Sequence, residues 1–176
     1  MDKNTNKGVM FVLSSPSGAG KTSICKSLLK LDKNISLSIS VTTRPIRQEE
    51  EEGQDYFFVN NETFDNMLKE GSFIEHASVF GHNYGTLKKL VKEKLYNGED
   101  LLFDIDWQGS LQLKASNQPN LLTIFIIPPS KEIIYERLKS RAEKSGDNEQ
   151  AIKHRMEMYE TEMSHQNEYE HIIEND

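Results

Sequence analysis

A lysine and a threonine close the turn-rich octad Ser15-Pro16-Ser17-Gly18-Ala19-Gly20-Lys21-Thr22. Small residues in such a loop let backbone N–H groups converge on an anion, and a helix starting at its end adds the positive end of its dipole. The pattern Gly-x-x-x-x-Gly-Lys-Ser/Thr fits at every fixed position but the first, where Ser15 replaces glycine. A serine is tolerated there if its φ stays negative. The lysine of such a loop reaches the β- and γ-phosphates of a nucleoside triphosphate, and the hydroxyl of Thr22 can ligate Mg²⁺. The loop leaves the acceptor open, because GTPases, motor ATPases and small-molecule kinases all use it.

An acceptor site has to be sought elsewhere. Two arginines flank a proline in Ser40-Val41-Thr42-Thr43-Arg44-Pro45-Ile46-Arg47. Paired guanidinium forks suit a dianionic monophosphate, whose oxygens match bidentate N–H donors. Taken alone, the same arginines would serve equally as surface ion pairs. Tyr56 and Tyr84 carry phenol hydroxyls that can complete a phosphate shell, although single tyrosines more often pack in a core. Glu75, in Phe73-Ile74-Glu75-His76, is an acid among apolar and aromatic neighbours. Asp104 and Asp106 alternate at the end of an apolar run, where open α/β sheets place their ligand crevice. One of them can support Mg²⁺ while the other meets an acceptor, and both can also cap a helix near Gly109. Arg137 and Arg141 share a face at helical spacing, and Arg155 follows. Such arginines can offset charge on a migrating phosphoryl group. A solvated helix face would carry them without that role. The acids Glu49 to Glu52 read as a solvated loop.

These residues need elements to hold them. Residues 9–13 form a continuous apolar run, the pattern of a strand buried on both faces, and 22–31 follow with helical spacing. Residues 101–106 and 122–127 are further buried-strand runs, Ile172-Ile173 the stub of another, and 87–96 and 109–116 read as helices. The alternation predicts an α/β fold with a parallel, doubly wound sheet. Residues 38–85 differ: 36–41 alternate, 56–59 look like a strand and 63–69 like a short helix. They predict an inserted subdomain of mixed sheet and helix. Residues 130–159 are charged and helical, broken near Lys144-Ser145-Gly146-Asp147-Asn148, which predicts a helical hairpin with a mobile tip, a lid.

A net charge of −7 over 176 residues argues against a broad electrostatic grip on nucleic acid. The histidines are scattered, without metal-ligand spacing. One cysteine, Cys25, allows no internal disulfide and suits a reducing compartment. Residues 1–7 are polar and read as frayed, with no secretory pattern, and no apolar run is long enough to cross a bilayer. A soluble, cytoplasmic protein is expected, without nucleic-acid or membrane partners.

Together with the phosphate loop, the segments 40–47, 53–57, 73–75, Tyr84-Gly85-Thr86 and Asp104-Ile105-Asp106-Trp107-Gln108-Gly109 resemble the guanylate kinase family, in order, over nearly the whole chain. The resemblance implies a P-loop NTPase core with an inserted GMP-binding region and a lid. Its parts would be 8–37 (core with the phosphate loop), 38–89 (insert), 90–129 (core), 130–158 (lid) and 159–176 (core). It implies transfer of the terminal phosphate of Mg-ATP to GMP, with dGMP use and the choice between monomer and homodimer left open. It assigns Ser15 to Thr22 (Pro16, Ser17, Gly18, Ala19, Gly20 and Lys21 between them) to ATP, with Asn175 beside the adenine. It gives Arg44, Arg47, Tyr56 and Tyr84 to the GMP phosphate and Ser40, Glu75 and Thr86 to the guanine. Asp106 falls on the GMP side, and Asp104 with Thr22 on the metal side. Lys21, Arg44, Arg137, Arg141 and Arg155 would act on the transferred group. Guanine's ring N–H and amine suit one carboxylate, and its carbonyl suits a hydroxyl. The chain has Arg141-Ala142 where the family usually has Arg-Gly, and the family's further helix beyond Asn175-Asp176 is not represented. Two other readings compete: a kinase for another nucleoside monophosphate, and an inactive guanylate-kinase-like module that binds partner proteins. Lys21 and Thr22 argue against the latter. The lack of an Asn-Lys-x-Asp guanine reader argues against a regulatory GTPase.

Overall fold

The structure is a computed structural model and describes residues 8–145 and 148–176, the side chains of Arg141 and of 143–145 excepted. Its centre is β1 (Met10–Ser14), flanked by β7 (Asp100–Asp104) and β8 (Leu121–Ile127), both parallel to it. Outside these lie β2 (Ile35–Leu37) against β7 and β9 (His171–Glu174) against β8, giving a parallel five-stranded sheet, β2-β7-β1-β8-β9. Alternation sorts the apolar run of β1 onto two faces. Met10 and Val12 join Leu101 and Phe103 under α3 (Lys88–Tyr96), which contributes Val91 and Leu95, and α4 (Trp107–Ala115), which contributes Leu113. Leu13 joins Leu102 and Cys25 on the opposite face, beneath α1 (Lys21–Leu31). The expected α/β fold with helices over a parallel sheet is what forms.

The alternating run 36–41 does not make one strand. Residues 35–37 stay in the core sheet, where Ser38 N donates to Leu102 O at 2.9 Å, and β3 (Ser40–Thr42) starts a second sheet. That sheet runs β4-β3-β6-β5, with β4 Tyr56–Phe58, β5 Phe73–Val79 and β6 His82–Leu87. One face of it packs on α2 (Asn61–Lys69), where Phe64 stacks on Phe73 at 4.7 Å beside Val41. Asn60 caps α2 by accepting from Thr63 N. A bulge between Phe73 and Glu75 shifts the register of β5, so that Phe73 lies opposite Leu87 and Glu75 opposite Thr86. Adjacent residues of β6 point to opposite faces. Phe73 therefore enters the apolar layer, and Glu75 is turned to the other side.

The helical hairpin of the third segment consists of α5 (Lys131–Ser145) and α6 (Glu149–Ser164), the latter capped by Asn148. Gly146 and Asp147, within the tip expected to be mobile, lie outside the described residues, as do residues 1–7. Ile134 and Leu138 of α5 pack on Ala19 and Ile126, which seats the hairpin beside the phosphate loop.

Replacing Phe64, 3% exposed, with alanine leaves a cavity under the second sheet. Phe64→Ala is expected to cost about 3–5 kcal/mol in denaturant unfolding. A loss under about 1 kcal/mol would mean that α2 does not brace this sheet.

Candidate active site

The phosphate loop joins β1 to α1. Gly18 and Gly20 have φ of 90° and 92°, in the left-handed region where a side chain is strained. Gly20 is also closely approached: a Cβ there would lie 2.3 Å from Asn175 Nδ2. Ser15 is not among the left-handed residues, so its replacement of glycine needs no strained backbone, and its hydroxyl donates to Pro16 O at 2.9 Å.

Lys21 Nζ lies 2.7 Å from Asp104 Oδ1 and donates to Ile105 O at 2.7 Å. Burial presses the ammonium toward neutrality, but the carboxylate of Asp104 outweighs that and holds it above the usual lysine range. Thr22 Oγ1 donates to Asp104 Oδ2 at 3.1 Å, so one carboxylate carries both loop residues. Arg155 donates to Ser17 Oγ at 3.2 Å. Arg137 donates to Ala19 O at 3.4 Å and to Asn175 O at 3.2 Å, and Asn175 donates to Ala19 O at 2.7 Å. Arg137 thus braces the loop backbone. The side chain of Arg141 lies outside the described residues.

The acceptor candidates fall on the face of the second sheet that α2 leaves uncovered. Register aligns Tyr56, Ser40, Thr86 and Glu75 in one row across all four strands, with Thr42 and Tyr84 paired in the next. The Ser40 and Thr86 hydroxyls are 3.2 Å apart, and Thr86 also hydrogen-bonds Glu75. Glu75 is 3% exposed, and its Oε1 has no protein partner. Helix α4 closes over it so tightly that a Cβ on Gly109 would stand 2.4 Å from Glu75 Oε2. Burial pushes the carboxyl up to about 7; the Thr86 hydrogen bond opposes this and the charge of Asp106 adds to it. Asp106 caps α4 by accepting from Gly109 N at 3.1 Å and receives Gln108 Nε2 at 2.8 Å. The capping option open in the sequence is therefore realised at Asp106, whereas Asp104 pairs with Lys21.

Arg44 is 9% exposed and lies over the rings of Tyr56 and Phe58, at 5.4 and 5.9 Å. It donates to Glu50 Oε1 at 2.6 Å and to Pro45 O at 2.7 Å. Arg47 is more exposed, with its backbone N donating to Glu50 Oε2 at 2.9 Å and its guanidinium 4.0 Å from Glu50 Oε1. The acid run is therefore not simply a solvated loop. Two arginines draw Glu50 inward, Glu52 accepts from Phe58 N and Glu51 N donates to Asp55. Burial first, then the charge of Asp104, raises the Tyr56 phenol to about 12, keeping it a donor.

The two halves meet where Phe80 packs on Arg155 and where Gln112 reaches His76. The charge of Lys21 acts on both Tyr56 and Glu75, and that of Asp104 on Tyr56. Gln112 clips the halves together, donating to His76 O at 2.6 Å and accepting from His76 N at 3.1 Å. Glu162 is a participant that the sequence did not single out: it accepts from Ser17 N in the phosphate loop at 3.0 Å. It lies 145 residues from its partner, so no local pattern marks it. Glu50 had a legible signal, an acid run beside two arginines.

The family model for guanylate kinase matches residues 7–176. The chain belongs to the guanylate kinase family. A guanylate kinase of Rickettsia bellii is 49% identical over 171 residues, 97% of this chain and 87% of that one. One of Rickettsia prowazekii is 49% identical over 174 residues, 99% of this chain and 86% of that one. The crystal structure of guanylate kinase from Anaplasma phagocytophilum superposes with a TM-score of 0.78 at 37% identity, over 96% of this chain and 77% of that one. These relatives are guanylate kinases, which are P-loop phosphotransferases; the chain is an enzyme of that kind, and the sheet order described above is its P-loop NTPase core.

A carboxyl held near 7 when folded, and at its ordinary value when unfolded, binds its proton more tightly in the folded chain. Its contribution to stability is full below the ordinary carboxylate range and is lost as pH rises through about 7. Glu75→Gln should therefore raise Tm relative to the parent more at about pH 8 than at about pH 5. A difference independent of pH would contradict the elevated carboxyl.

Proposed function

We propose that this chain transfers the γ-phosphate of ATP to the phosphate of GMP, giving ADP and GDP. The observation that carries the acceptor is Glu75: a buried carboxylate with a partnerless oxygen, in one row with two hydroxyls, in the cleft that Lys21 faces. Ionised Glu75 accepts the ring N–H and the amine of guanine, while Ser40 and Thr86 donate to its carbonyl. Adenine presents the opposite polarity and would leave Glu75 buried without donors. Asp106, at the cap of α4, borders the same pocket. Arg44 and Arg47, with Tyr56 and Tyr84, hold the GMP phosphate. Glu50, already on both arginines, sets where their donors point.

The loop N–H groups between Ser15 and Thr22, that of Pro16 being absent, take the ATP phosphates, with Asn175 toward the adenine. Lys21 exchanges Ile105 O for a phosphate oxygen while Asp104 keeps it charged. A GMP phosphate oxygen attacks the γ-phosphorus in line, the bond to the β-phosphate oxygen breaks, and ADP leaves. No covalent enzyme intermediate is needed, because positioning and charge complementarity supply the rate. Arg155 and Arg137, with Arg141, offset the charge that develops. The oxygen donors of Thr22 and Asp104 fit Mg²⁺, a hard cation that takes one or two protein ligands and completes its shell with phosphates and water. When bound, it offsets charge on the β- and γ-oxygens. Among the described residues, no group of three or more His, Cys, Asp or Glu gathers as a self-sufficient metal cage, and no helix is long and apolar enough to cross a membrane. We place the enzyme in the cytoplasm, acting on small molecules.

A coupled ADP-release assay over a panel of monophosphates is expected to favour GMP over AMP by about 10⁴-fold in kcat/KM. Comparable rates with AMP or UMP would overturn the guanine assignment. Lys21→Ala should lower kcat by about 10²–10³-fold, and near-parental turnover would remove the phosphate loop from the mechanism.

A further inference from the structure

The hairpin joining β5 to β6 turns on two residues, Phe80 and Gly81, between the paired Val79 and His82. Both have positive φ, 49° and 80°. This is the geometry of a type I′ turn, whose first position favours asparagine, aspartate or glycine. A phenylalanine held there is a backbone outlier, and such strain persists where the side chain has work to do elsewhere.

The ring of Phe80 lies against α6. The guanidinium carbon of Arg155 stands 5.0 Å from its centroid, and the ring of His154 meets it edge-on at 5.5 Å and 81°. Arg155 in turn donates to Ser17 Oγ of the phosphate loop at 3.2 Å. One chain of contacts therefore runs from the acceptor hairpin, through a lid arginine, to the loop. An aromatic face attracts a guanidinium without using its N–H groups, which lie in the plane of the fork and stay directed at oxygens.

We propose that Phe80 is a positioning residue that sets Arg155 over the phosphate loop and links this placement to the acceptor sheet. The proposal rests on the reaction put forward above. Glu75 lies on the strand entering the turn, and Tyr84 and Thr86 on the strand leaving it. A hairpin shifted by an acceptor therefore carries Phe80, and with it the aromatic seat of Arg155. The lid arginine is aimed only when the acceptor strands are in place.

The test is steady-state kinetics with both substrates. Phe80→Asn suits the turn and removes the ring, and Phe80→Leu keeps bulk without an aromatic face. Both should lower kcat by about tenfold, the scale of a desolvated cation–aromatic contact, with KM for GMP and ATP within about twofold. Phe80→Trp should keep kcat within about threefold of the parent. In an Arg155→Ala background, Phe80→Asn should add less than about twofold, because the ring then has nothing to place. Parental kcat in Phe80→Asn and Phe80→Leu would overturn the proposal. So would a raised KM for GMP with kcat intact, which marks a turn that only shapes the sheet, or full additivity with Arg155→Ala. A parent chain that turns over GMP while Phe80→Asn loses nothing defeats this inference alone; a parent without GMP turnover defeats the proposed reaction and this inference with it.

Discussion

An ammonium group at the mouth of the core sheet has to be matched where it sits, because a buried charge without a partner is strongly destabilising. Lys21 is matched by Asp104 and by Ile105 O, both at the exit of β7. This is possible because β1 and β7 run parallel with Leu13 opposite Asp104, so the loop leaving one strand and the acid ending the other emerge side by side. The same acid takes the hydroxyl of Thr22. The apolar alternation that sorts Met10 and Val12 from Phe11 and Leu13 thus does more than fill a core. It fixes the register that brings cation, acid and hydroxyl to one edge.

The second sheet is organised by the difference between its faces. Val41, Phe64 and Phe73 make one face a small apolar core, which leaves the other free for polar side chains. The bulge in β5 turns Glu75 to the polar face, and α4 of the main core then covers it. The pocket proposed for the base is consequently shared. Its floor belongs to the second sheet, its cover to a helix whose Leu113 packs with Phe103 in the main core, and Gln112 fastens the two.

Much of this was legible in the sequence. The apolar runs located four strands of the main sheet, the last of them as the stub Ile172-Ile173, and the glycine loop located the strand-to-helix turn proposed for the anion, because strong periodicity and fixed-spacing motifs are local signals. The strands β5 and β6 were not resolved individually: residues such as Glu75, His76, Tyr84 and Thr86 interrupt apolar alternation where the sheet serves recognition. The split of residues 36–41 between two sheets was also hidden, since both pieces alternate alike and only tertiary pairing separates them. Glu50 was misread because a run of acids looks solvated until a facing guanidinium draws one member inward. Glu162 and Phe80 act on partners far away in the chain, and nothing nearby in sequence announces them.

Each seat proposed for an anion already touches a carboxylate of the chain itself, Glu50 at the paired arginines and Glu162 at the loop amide of Ser17. Among the described residues, neither the paired arginines nor this loop amide stands bare, and the chain as a whole carries a net charge of −7. A passing polyanion meets seats that are partly neutralised and walled by negative charge, and gains little by lingering. A compact dianion, small enough to enter and doubly charged at one point, competes far better with a single carboxylate. On the proposed assignment, the resident acids would set a threshold of charge density that a ligand has to exceed before it displaces them.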